Sequence, residues 1–400
     1  MTATDNPITP TTDITETLVS RIHEIGPLLL EGAVTADRDR RLPDATVEAL
    51  RETGVREIST LQKYGGHEAG ARTLFEVART IGYYDPAAAW LTVISNGSVL
   101  LTNRWPEAAV NRVFDDGPVG MASVFASPRA SIVRDGEGYR VSGKWPFASN
   151  IHHSDWAIGG APVLESNGAA PTFGFALLSR EQYSIEDTWY VVGLRGTGSN
   201  TLVVEDQWVP ADQVISGRQL LGQELEADPH ATFGLRLAPM TTMITTLTAP
   251  ALGAAQAALD YVTEQAQQRG IAYSVYARQI DSRAFVKDLS HAALKLDTAL
   301  LHLRRSADTV DAAAHNAQPL PVELRARSRG DVGTATHEIA DAVNDLMWAH
   351  GTAAFAESAL ISRLWRDINT AVRHAMLAAN INFEVYGGAL LGVDYAMEMV

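Results

Sequence analysis

His374, in the segment Arg373-His374-Ala375, has the strongest claim to chemistry in this sequence. An imidazole has an ordinary pKa of about 6.5, so it can take up or release a proton near neutral pH. The 400 residues include no cysteine, which excludes thiolate nucleophiles, thiolate metal ligands and disulfides. Chemistry must therefore come from histidine, serine, carboxylates or a bound cofactor.

The spacing around His374 limits what its neighbours can do. Asp367 lies seven residues earlier. On one continuous helix this spacing gives the same face, but a separation of about 10 Å along the axis at about 1.5 Å per residue. Asp367 therefore cannot orient the imidazole directly. We interpret Arg366 and Asp367 as ions that anchor the helix.

General-purpose motifs do not explain the chain. Gly196-Thr197-Gly198-Ser199 lacks the third glycine and the following helix of a dinucleotide loop, and His337-Glu338 lacks the second histidine of a zincin helix. His152-His153 are neighbours, and neighbouring residues on a strand point to opposite faces. We therefore expect no metal site.

The charge balance excludes several classes of partner. The net charge is −15, which would repel a nucleic-acid backbone. No run approaches the roughly 18 to 20 apolar residues of a membrane span. Residues 1–13 are polar, and we predict that they form a flexible tail. We expect a cytoplasmic protein with neither nucleic acid nor membrane as partner.

The elements that must hold the candidate residues change in type along the chain. Residues 14–118 show helical periodicity, with Pro43 opening a helix. Residues 119–220 show short β-rich runs, with Asp135-Gly136 and Glu137-Gly138 at a hairpin turn. Residues 230–400 are Ala-rich and helical, broken by Pro319 and Pro321. The predicted β-runs are Ala130–Arg134, Tyr139–Ser142, Trp156–Gly159, Phe173–Leu178 and Thr201–Val204.

Several segments, in this order and spacing, resemble the acyl-CoA dehydrogenase superfamily. The matching segments are Leu42-Pro43, Tyr64-Gly65-Gly66, 143–150 (GKWPFASN), Asp155-Trp156, 193–199 (GLRGTGS), Val209-Pro210, 249–269 and 363–374. The resemblance covers nearly the whole chain. It implies an α+β protein with an N-terminal helical domain, a central antiparallel β-barrel domain and a C-terminal four-helix bundle.

The resemblance also implies a flavin between the β-domain and the bundle. Trp145 would lie near the isoalloxazine, and Ser149 would offer its hydroxyl to the flavin N5 region. Arg269 would reach the flavin pyrophosphate of a neighbouring subunit, in a homotetramer. The residues implied for binding the cofactor are Trp145, Phe147, Ser149, Thr197, Ser199, Arg269, Trp348, Gly351 and Thr352. The family usually has a glycine pair at 348–352, and here only Gly351 remains, after His350.

The base that a dehydrogenase needs is missing. Removal of an α-proton requires a carboxylate within reach of that carbon. The family places it nine residues after the arginine of Arg366-Asp367, where this chain has Ala375, and Met243–Thr248 offers no carboxylate at the other known position. With His374 beside Ala375, the chain resembles the two-component flavin-dependent hydroxylases of the superfamily.

Such enzymes take FADH2 or FMNH2 from a separate NAD(P)H-dependent flavin reductase. With O2 they form a C4a-hydroperoxyflavin that hydroxylates an aromatic substrate of phenolic or indole type. We favour FADH2, with His374 and Ser149 as catalytic residues, and expect no metal. His374 would take the ring proton or hold the hydroperoxide, and Ser149 would discourage loss of peroxide.

The substrate pocket is expected to include Trp90, Asn96 and Phe125. Relatives often carry a histidine in the helix after Trp90, where this chain has Asn96, Gly97 and Ser98. Three alternatives stay open: an N- or S-oxygenase on the same fold, an acyl-CoA dehydrogenase-like protein, and a flavin-binding protein without activity.

Overall fold

The computed structural model describes residues 13–165, 169–222 and 224–393. The predicted flexible tail, 1–13, lies outside the described residues except for Asp13, where the first helix begins.

The N-terminal region is helical. Pro43 precedes its second helix, as predicted, and Gly54 ends that helix in the left-handed conformation, with φ 90°. Asp85 starts the fourth helix, because its side chain accepts hydrogen bonds from the amides of Ala87 and Ala88 and Pro86 occupies the first turn. The helices are α1 (Asp13–Asp39), α2 (Asp44–Thr53), α3 (Ala71–Tyr84), α4 (Pro86–Thr102) and α5 (Glu107–Val113).

A β-sheet follows, and all five predicted β-runs fall on strands of it. The strands are β1 (Met121–Val124), β2 (Ala130–Asp135), β3 (Gly138–Trp145), β4 (Trp156–Leu164), β5 (Thr172–Ser179), β6 (Ser184–Glu186), β7 (Thr201–Pro210) and β8 (Val214–Ser216). Within the described residues they pair in the order β6-β7-β3-β2-β4-β5-β8, with β1 beside β4. The predicted hairpin joins β2 to β3 and pairs Asp135 with Gly138.

The sheet is mixed, which corrects the expectation of a purely antiparallel domain. Both β1 and β2 run parallel to β4. Alternation of apolar and polar residues has the same period in both kinds of pairing, so the sequence could not distinguish them. The parallel pairing requires long connections. The connection from β2 to its parallel partner β4 passes through β3 and residues 146–155, and the latter segment carries Phe147 and Ser149.

The C-terminal region is helical again, and α10 ends before Pro319 as predicted. Helices α9, α10, α11 and α12 pack against one another as a four-helix bundle, and α13 packs against α11. The helices are α6 (Gly217–Leu221), α7 (Phe233–Arg236), α8 (Pro239–Thr246), α9 (Ala249–Gln265), α10 (Arg283–His315), α11 (Val322–His350), α12 (Leu360–Ala371) and α13 (Ala379–Leu391).

Helix α12 ends at Ala371, so His374 does not share a helix with Asp367 as the seven-residue spacing suggested. His374 instead caps the short turn Ala375–Leu377. The predicted anchoring role of the two ions is confirmed: Arg366 pairs with Asp37 of α1 at 2.9 Å, and Asp367 accepts a hydrogen bond from the amide of Leu194 at 2.5 Å. These contacts hold α12 against α1 and the loop that precedes β7.

The N-terminal helices and the bundle meet through a close contact of α3 with α9. A Cβ atom on Gly253 would lie 2.1 Å from the carbonyl oxygen of Arg79, and one on Gly82 would lie 2.7 Å from that of Pro250. Backbone atoms cannot move aside as a flexible side chain can. Glycine at both positions therefore allows the two helices to touch.

We expect Gly253→Ala to lower the free energy of unfolding by about 1–3 kcal/mol, because the added methyl group overpacks this contact. Gly387→Ala is the matched control. Gly387 lies in α13 with nothing within 4 Å of the new methyl group, so helix propensity should raise stability by up to about 1 kcal/mol. Chemical denaturation of both variants measures the difference, and equal stabilities would contradict this account of the contact.

Candidate active site

A cavity of about 660 Å³ lies where α4, α8, the β-domain and the segment after α12 meet. Its walls are mainly apolar, with a few hydroxyls, one arginine and one histidine. The lining residues are Trp90, Ile94, Ser123, Val124, Phe125, Ala126, Pro146, Phe147, Ser149, Trp189, Leu194, Thr197, Ser199, Met240, Met243, Leu247, Thr370, Arg373, His374, Ala375 and Met376. The cavity thus brings together both predicted catalytic residues and five of the other predicted site residues: Phe147, Thr197, Ser199, Trp90 and Phe125.

Trp90 joins the two predicted catalytic residues. Its indole Nε1–H donates a hydrogen bond to Ser149 Oγ at 3.2 Å. The rings of Trp90 and His374 meet edge to face, with 5.4 Å between their centroids and an angle of 66° between their planes. Trp90 is only 4% exposed, so the packing of α4 fixes it. We expected Trp90 as a pocket wall, and the structure also makes it the contact between Ser149 and His374.

A row of hydroxyl groups continues from Ser149 along the cavity wall. Ser149 Oγ and Ser199 Oγ are 2.7 Å apart, and Ser199 Oγ and Thr197 Oγ1 are also 2.7 Å apart. Thr197 Oγ1 donates to the carbonyl oxygen of Leu194 at 2.8 Å. All three hydroxyl residues are at least nine-tenths buried. Buried hydroxyls in an apolar wall need partners, and here they satisfy one another.

The hydrogen bond of His374 identifies its tautomer. The amide of Met376 donates to His374 Nδ1 at 3.3 Å, so Nδ1 carries no hydrogen. Burial lowers the pKa of His374, which favours the neutral ring. The hydrogen of the neutral ring must then be on Nε2. In this state Nε2 is a hydrogen-bond donor, whereas a base at Nε2 would need the other tautomer.

The loop that supplies the hydroxyl row is held tightly against α12. A Cβ atom on Gly193 would lie 2.1 Å from the carbonyl oxygen of Arg366, so only glycine fits. The next residue, Leu194, has φ 51° and donates its amide to the buried carboxylate of Asp367. Phe147, at the cavity mouth, also has a positive φ, 64°. Such backbone costs about 1–3 kcal/mol per residue and is common at functional sites.

Two predicted residues lie elsewhere. Trp145 is fully buried in the β-domain, where its Nε1 donates to the carbonyl oxygen of Gly160 at 2.9 Å, so it is a core residue and does not line the cavity. Asn96 is 1% exposed and donates to the carbonyl oxygens of Val55 and Thr92. It therefore braces α4 and does not line this cavity.

A second group of predicted residues lies around the end of α11, outside the lining of the cavity. Arg269 contacts His350 Nε2 through its guanidinium group. Burial and this cation lower the pKa of His350 to about 4. Gly351 has φ 79°, Trp348 is 87% exposed and Thr352 begins a short turn. Their assignment to the cofactor stays a prediction.

Several lining residues were missed in the sequence, although the signal was present. Met240, Met243 and Leu247 are spaced by three and four residues, which places them on one side of α8 and the turn after it. No such signal marks Ser123, Val124 and Ala126, because β1 ends at Val124 and these neighbouring residues line the cavity without strand alternation. Trp189 contacts Phe147 edge to face at 5.9 Å between centroids.

No acidic side chain is among the described residues that line the cavity, and Ala375, at the expected position of a dehydrogenase base, is one of the lining residues. Across residues 13–165, 169–222 and 224–393, no group of three histidine or acidic side chains is arranged to hold a metal ion. His152 is engaged with Asn200 at 2.8 Å. Over the same part of the chain, no helix combines the length and apolarity needed to cross a membrane.

Comparison with known proteins supports one family. The family model for the acyl-CoA dehydrogenase C-terminal domain matches residues 245–379. The chain is 30% identical to HsaA, the oxygenase subunit of a flavin-dependent monooxygenase from Rhodococcus jostii (strain RHA1), over 96% of this chain and 100% of that protein. It is 28% identical to the oxygenase component of an FADH2-dependent resorcinol hydroxylase from Rhizobium sp. (strain MTP-10005), over 94% of both chains.

A solved structure agrees closely. XiaF from Streptomyces sp., in complex with FADH2 and glycerol, superposes with a TM-score of 0.94 at 41% identity, covering 97% of this chain and 98% of that one. The fold is therefore that of the acyl-CoA dehydrogenases. More narrowly, the chain belongs to the family of flavin-dependent monooxygenases, in the branch of their oxygenase subunits, and it is an oxidoreductase.

The carboxyl group of Asp367 provides a test of the loop contact. Burial is the main reason that its pKa is raised to about 7, and the carboxyl groups of Asp37 and Asp85 also raise it. The hydrogen bond from the amide of Leu194 and the charge of Arg363 lower it. The unfolded carboxyl group ionises near pH 4. Stability from the raised pKa is therefore complete below about pH 4 and is lost as the pH rises through about 7.

We expect Asp367→Asn to gain stability relative to the unmodified protein as the pH rises from about 4 to 8. The amide oxygen can still accept from Leu194 but cannot ionise. The gain is bounded by about 1.4 kcal/mol for each unit of pKa shift. Thermal unfolding of both proteins across this pH range measures the gain in stability. A stability difference that does not change with pH would show that burial does not raise the pKa of Asp367.

Proposed function

We propose that this protein is the oxygenase component of a two-component flavin-dependent monooxygenase that hydroxylates a neutral aromatic compound of phenolic or indole type. A separate NAD(P)H-dependent reductase would supply FADH2, with FMNH2 as the second choice, and O2 would be the cosubstrate. The observation that carries this proposal is an apolar cavity in which His374 and Ser149 both contact Trp90 and whose described lining includes no carboxylate.

The residues present fit a flavin ring. The cavity volume of about 660 Å³ lies within the range of about 300–1,000 Å³ common for cofactor sites. Phe147 is 69% exposed at its mouth, and a flat ring against it would cover this apolar surface. The hydroxyls of Ser149, Ser199 and Thr197 form a buried polar row in the described wall, so they would meet the polar edge of the ring. Bound there, the reduced flavin supplies two electrons and activates O2.

His374 supports the proposal as a hydrogen-bond donor. The Met376 amide holds its Nδ1 and leaves the hydrogen on Nε2. A donor at this position can orient an oxygen atom of the reacting partners or the hydroxyl group of the substrate. Of the two roles expected for His374, holding the oxygen fits this tautomer. Taking a proton from the substrate does not, unless the imidazole first exchanges its hydrogen between nitrogens.

The substrate is proposed to be uncharged. Arg373 is the single charged side chain among the described lining residues, and its guanidinium donates to the backbone and side-chain oxygens of Asn369 at 2.7 and 2.9 Å. An amine substrate would need a nearby carboxylate to stay paired in this apolar site. The described lining has none, which disfavours the N-oxygenase alternative, and it also leaves a dehydrogenase without a base.

We further propose a cytoplasmic homotetramer. Trp348, two residues before His350 on α11, exposes 87% of its surface, and Phe355, in the short turn that follows α11, exposes 62%. Large exposed aromatic side chains close to a predicted cofactor-binding arginine are typical of an interface between subunits. Arg269, Trp348, Gly351 and Thr352 would then complete the flavin site of a neighbouring chain.

The test of the proposed activity uses isotopic oxygen. We expect the protein, supplied with FADH2 and ¹⁸O2 and a panel of phenols and indoles, to release a hydroxylated product that contains one ¹⁸O atom. Mass spectrometry measures the label. Omitting the protein is the control for chemical oxidation by free reduced flavin. Desaturated products without label, or no product with any member of the panel, would contradict the proposal.

Replacement of His374 separates donation from proton abstraction. We expect His374→Ala to retain flavin binding but to lower the ratio of product to hydrogen peroxide at least about tenfold, because one buried hydrogen bond to a reacting group is worth roughly 1.5–3 kcal/mol. His374→Gln keeps an N–H donor and should recover part of the ratio. Equal ratios in the two variants would rule out the donor role.

A further inference from the structure

Three of the eight methionines in the chain line the cavity. Met240 and Met243 lie on α8, and Met376 lies in the turn that His374 caps. Met243 is 3% exposed and Met240 is 8% exposed, while Met376 is half-buried. The two thioethers on α8 are therefore reached from the cavity and hardly at all from bulk solvent.

A thioether is readily oxidised by peroxide. The proposed function supplies the oxidant, because reduced flavin and O2 give oxidised flavin and hydrogen peroxide whenever no substrate takes the oxygen. In the step on the protein, a lone pair of the sulfur attacks one peroxide oxygen, so that an S–O bond forms and the O–O bond breaks. The other oxygen leaves as hydroxide and takes the proton of the attached oxygen to become water. The sulfur loses two electrons and the peroxide gains them.

We propose that Met240, Met243 and Met376 form a modification site, at which hydrogen peroxide formed inside the cavity in the absence of substrate oxidises the protein to methionine sulfoxide. The inference rests on the proposed function, because that function brings peroxide into the cavity. An aromatic compound that fills the cavity would cover the three side chains, so the substrate protects them.

Oxidation of Met243 has a direct consequence for the shape of the cavity. A Cβ atom on Gly97 would lie 3.2 Å from Met243 Cγ and 3.6 Å from its Sδ, so α4 closes one side of this side chain. An oxygen atom added to Sδ must then point toward the cavity or displace α4. A sulfoxide is polar, so it places an unpaired acceptor in an apolar wall. The modified cavity should therefore bind a neutral aromatic compound more weakly.

Two buried methionines outside the lining of the cavity provide internal controls. Met121 is fully buried, and its Sδ accepts a hydrogen bond from Thr102 Oγ1 at 3.2 Å. Met347, on α11, is 5% exposed. Both are about as inaccessible to bulk solvent as Met243, so the cavity is the difference between them.

The experiment supplies the unmodified protein with FADH2 and ¹⁸O2 but no substrate, with and without catalase in the solution to destroy peroxide that escapes. Mass spectrometry of the digested protein measures ¹⁸O-labelled sulfoxide at each methionine. With catalase present, we expect the label at Met240, Met243 and Met376 to exceed that at Met121 and Met347 at least about tenfold, because the latter two are reached only after local opening of the fold. An aromatic substrate that is hydroxylated should lower the label at all three cavity positions.

Met243→Leu tests the consequence for activity, because leucine has a similar volume but no sulfur. After incubation with FADH2 and O2 in the absence of substrate, we expect the unmodified protein to lose product-forming activity, and Met243→Leu to lose a smaller fraction of its own starting activity. Met121→Leu is the matched control and should lose activity like the unmodified protein. Equal losses in all three proteins would show that oxidation of Met243 does not block the cavity.

The outcomes separate the inference from the proposed function. If labelled hydroxylated product forms but the three cavity methionines carry no more label than Met121 and Met347, or if catalase abolishes their label, the modification site is wrong while the proposed function stands. If the protein yields neither hydroxylated product nor labelled sulfoxide, both are wrong. The label is measured on the unmodified protein, so a folding defect in Met243→Leu leaves this test decisive.

Discussion

The hydrogen bond from the amide of Leu194 to the buried carboxylate of Asp367 is the contact on which the site depends. It fixes Leu194, which has a left-handed backbone, between α12 and the β-domain. The carbonyl oxygen of Leu194 accepts hydrogen bonds from Thr197 and from the indole of Trp189. The amide of Leu194 thereby ties the loop to α12, while its carbonyl oxygen holds two cavity-lining side chains. Gly193 makes the contact possible, because any side chain there would enter the backbone of α12.

Burial gives the site its chemical character. An apolar environment disfavours charge, so it lowers the pKa of His374 and raises that of Asp367. The same environment makes each unpaired hydroxyl costly, so the orientation of Ser149, Ser199 and Thr197 is determined by their partners and not by solvent. A cavity of this kind contains neutral groups with fixed directions. Such groups can position oxygen and an uncharged ring, but they do not provide a strong base.

The sequence predicts the elements better than it predicts the side-chain orientations. The five β-runs, the hairpin at Gly136 and the helix start after Pro43 follow from local patterns, and the structure confirms them. Trp145 and Phe147 show where local patterns fail. Strand alternation would give both residues the same environment, but β3 ends at Trp145 and Phe147 has a positive φ outside the strand. Trp145 therefore enters the core and Phe147 the cavity. The prediction that His374 shares a helix with Asp367 is wrong for a similar reason, because no glycine or proline marks the end of α12.

The absence of a carboxylate from the described cavity lining has a physical consequence beyond the loss of one reaction. A carboxylate in this apolar wall would need a proton or a cation as a partner, and it could act as a base toward a bound molecule. Ala375 removes that group, and the wall instead offers the indole of Trp90, the hydroxyl row and the neutral imidazole of His374. Each of these groups has its hydrogen assigned by a buried partner. The fold of a dehydrogenase can therefore support oxygen chemistry through the removal of a base and the fixed direction of the remaining hydrogen bonds.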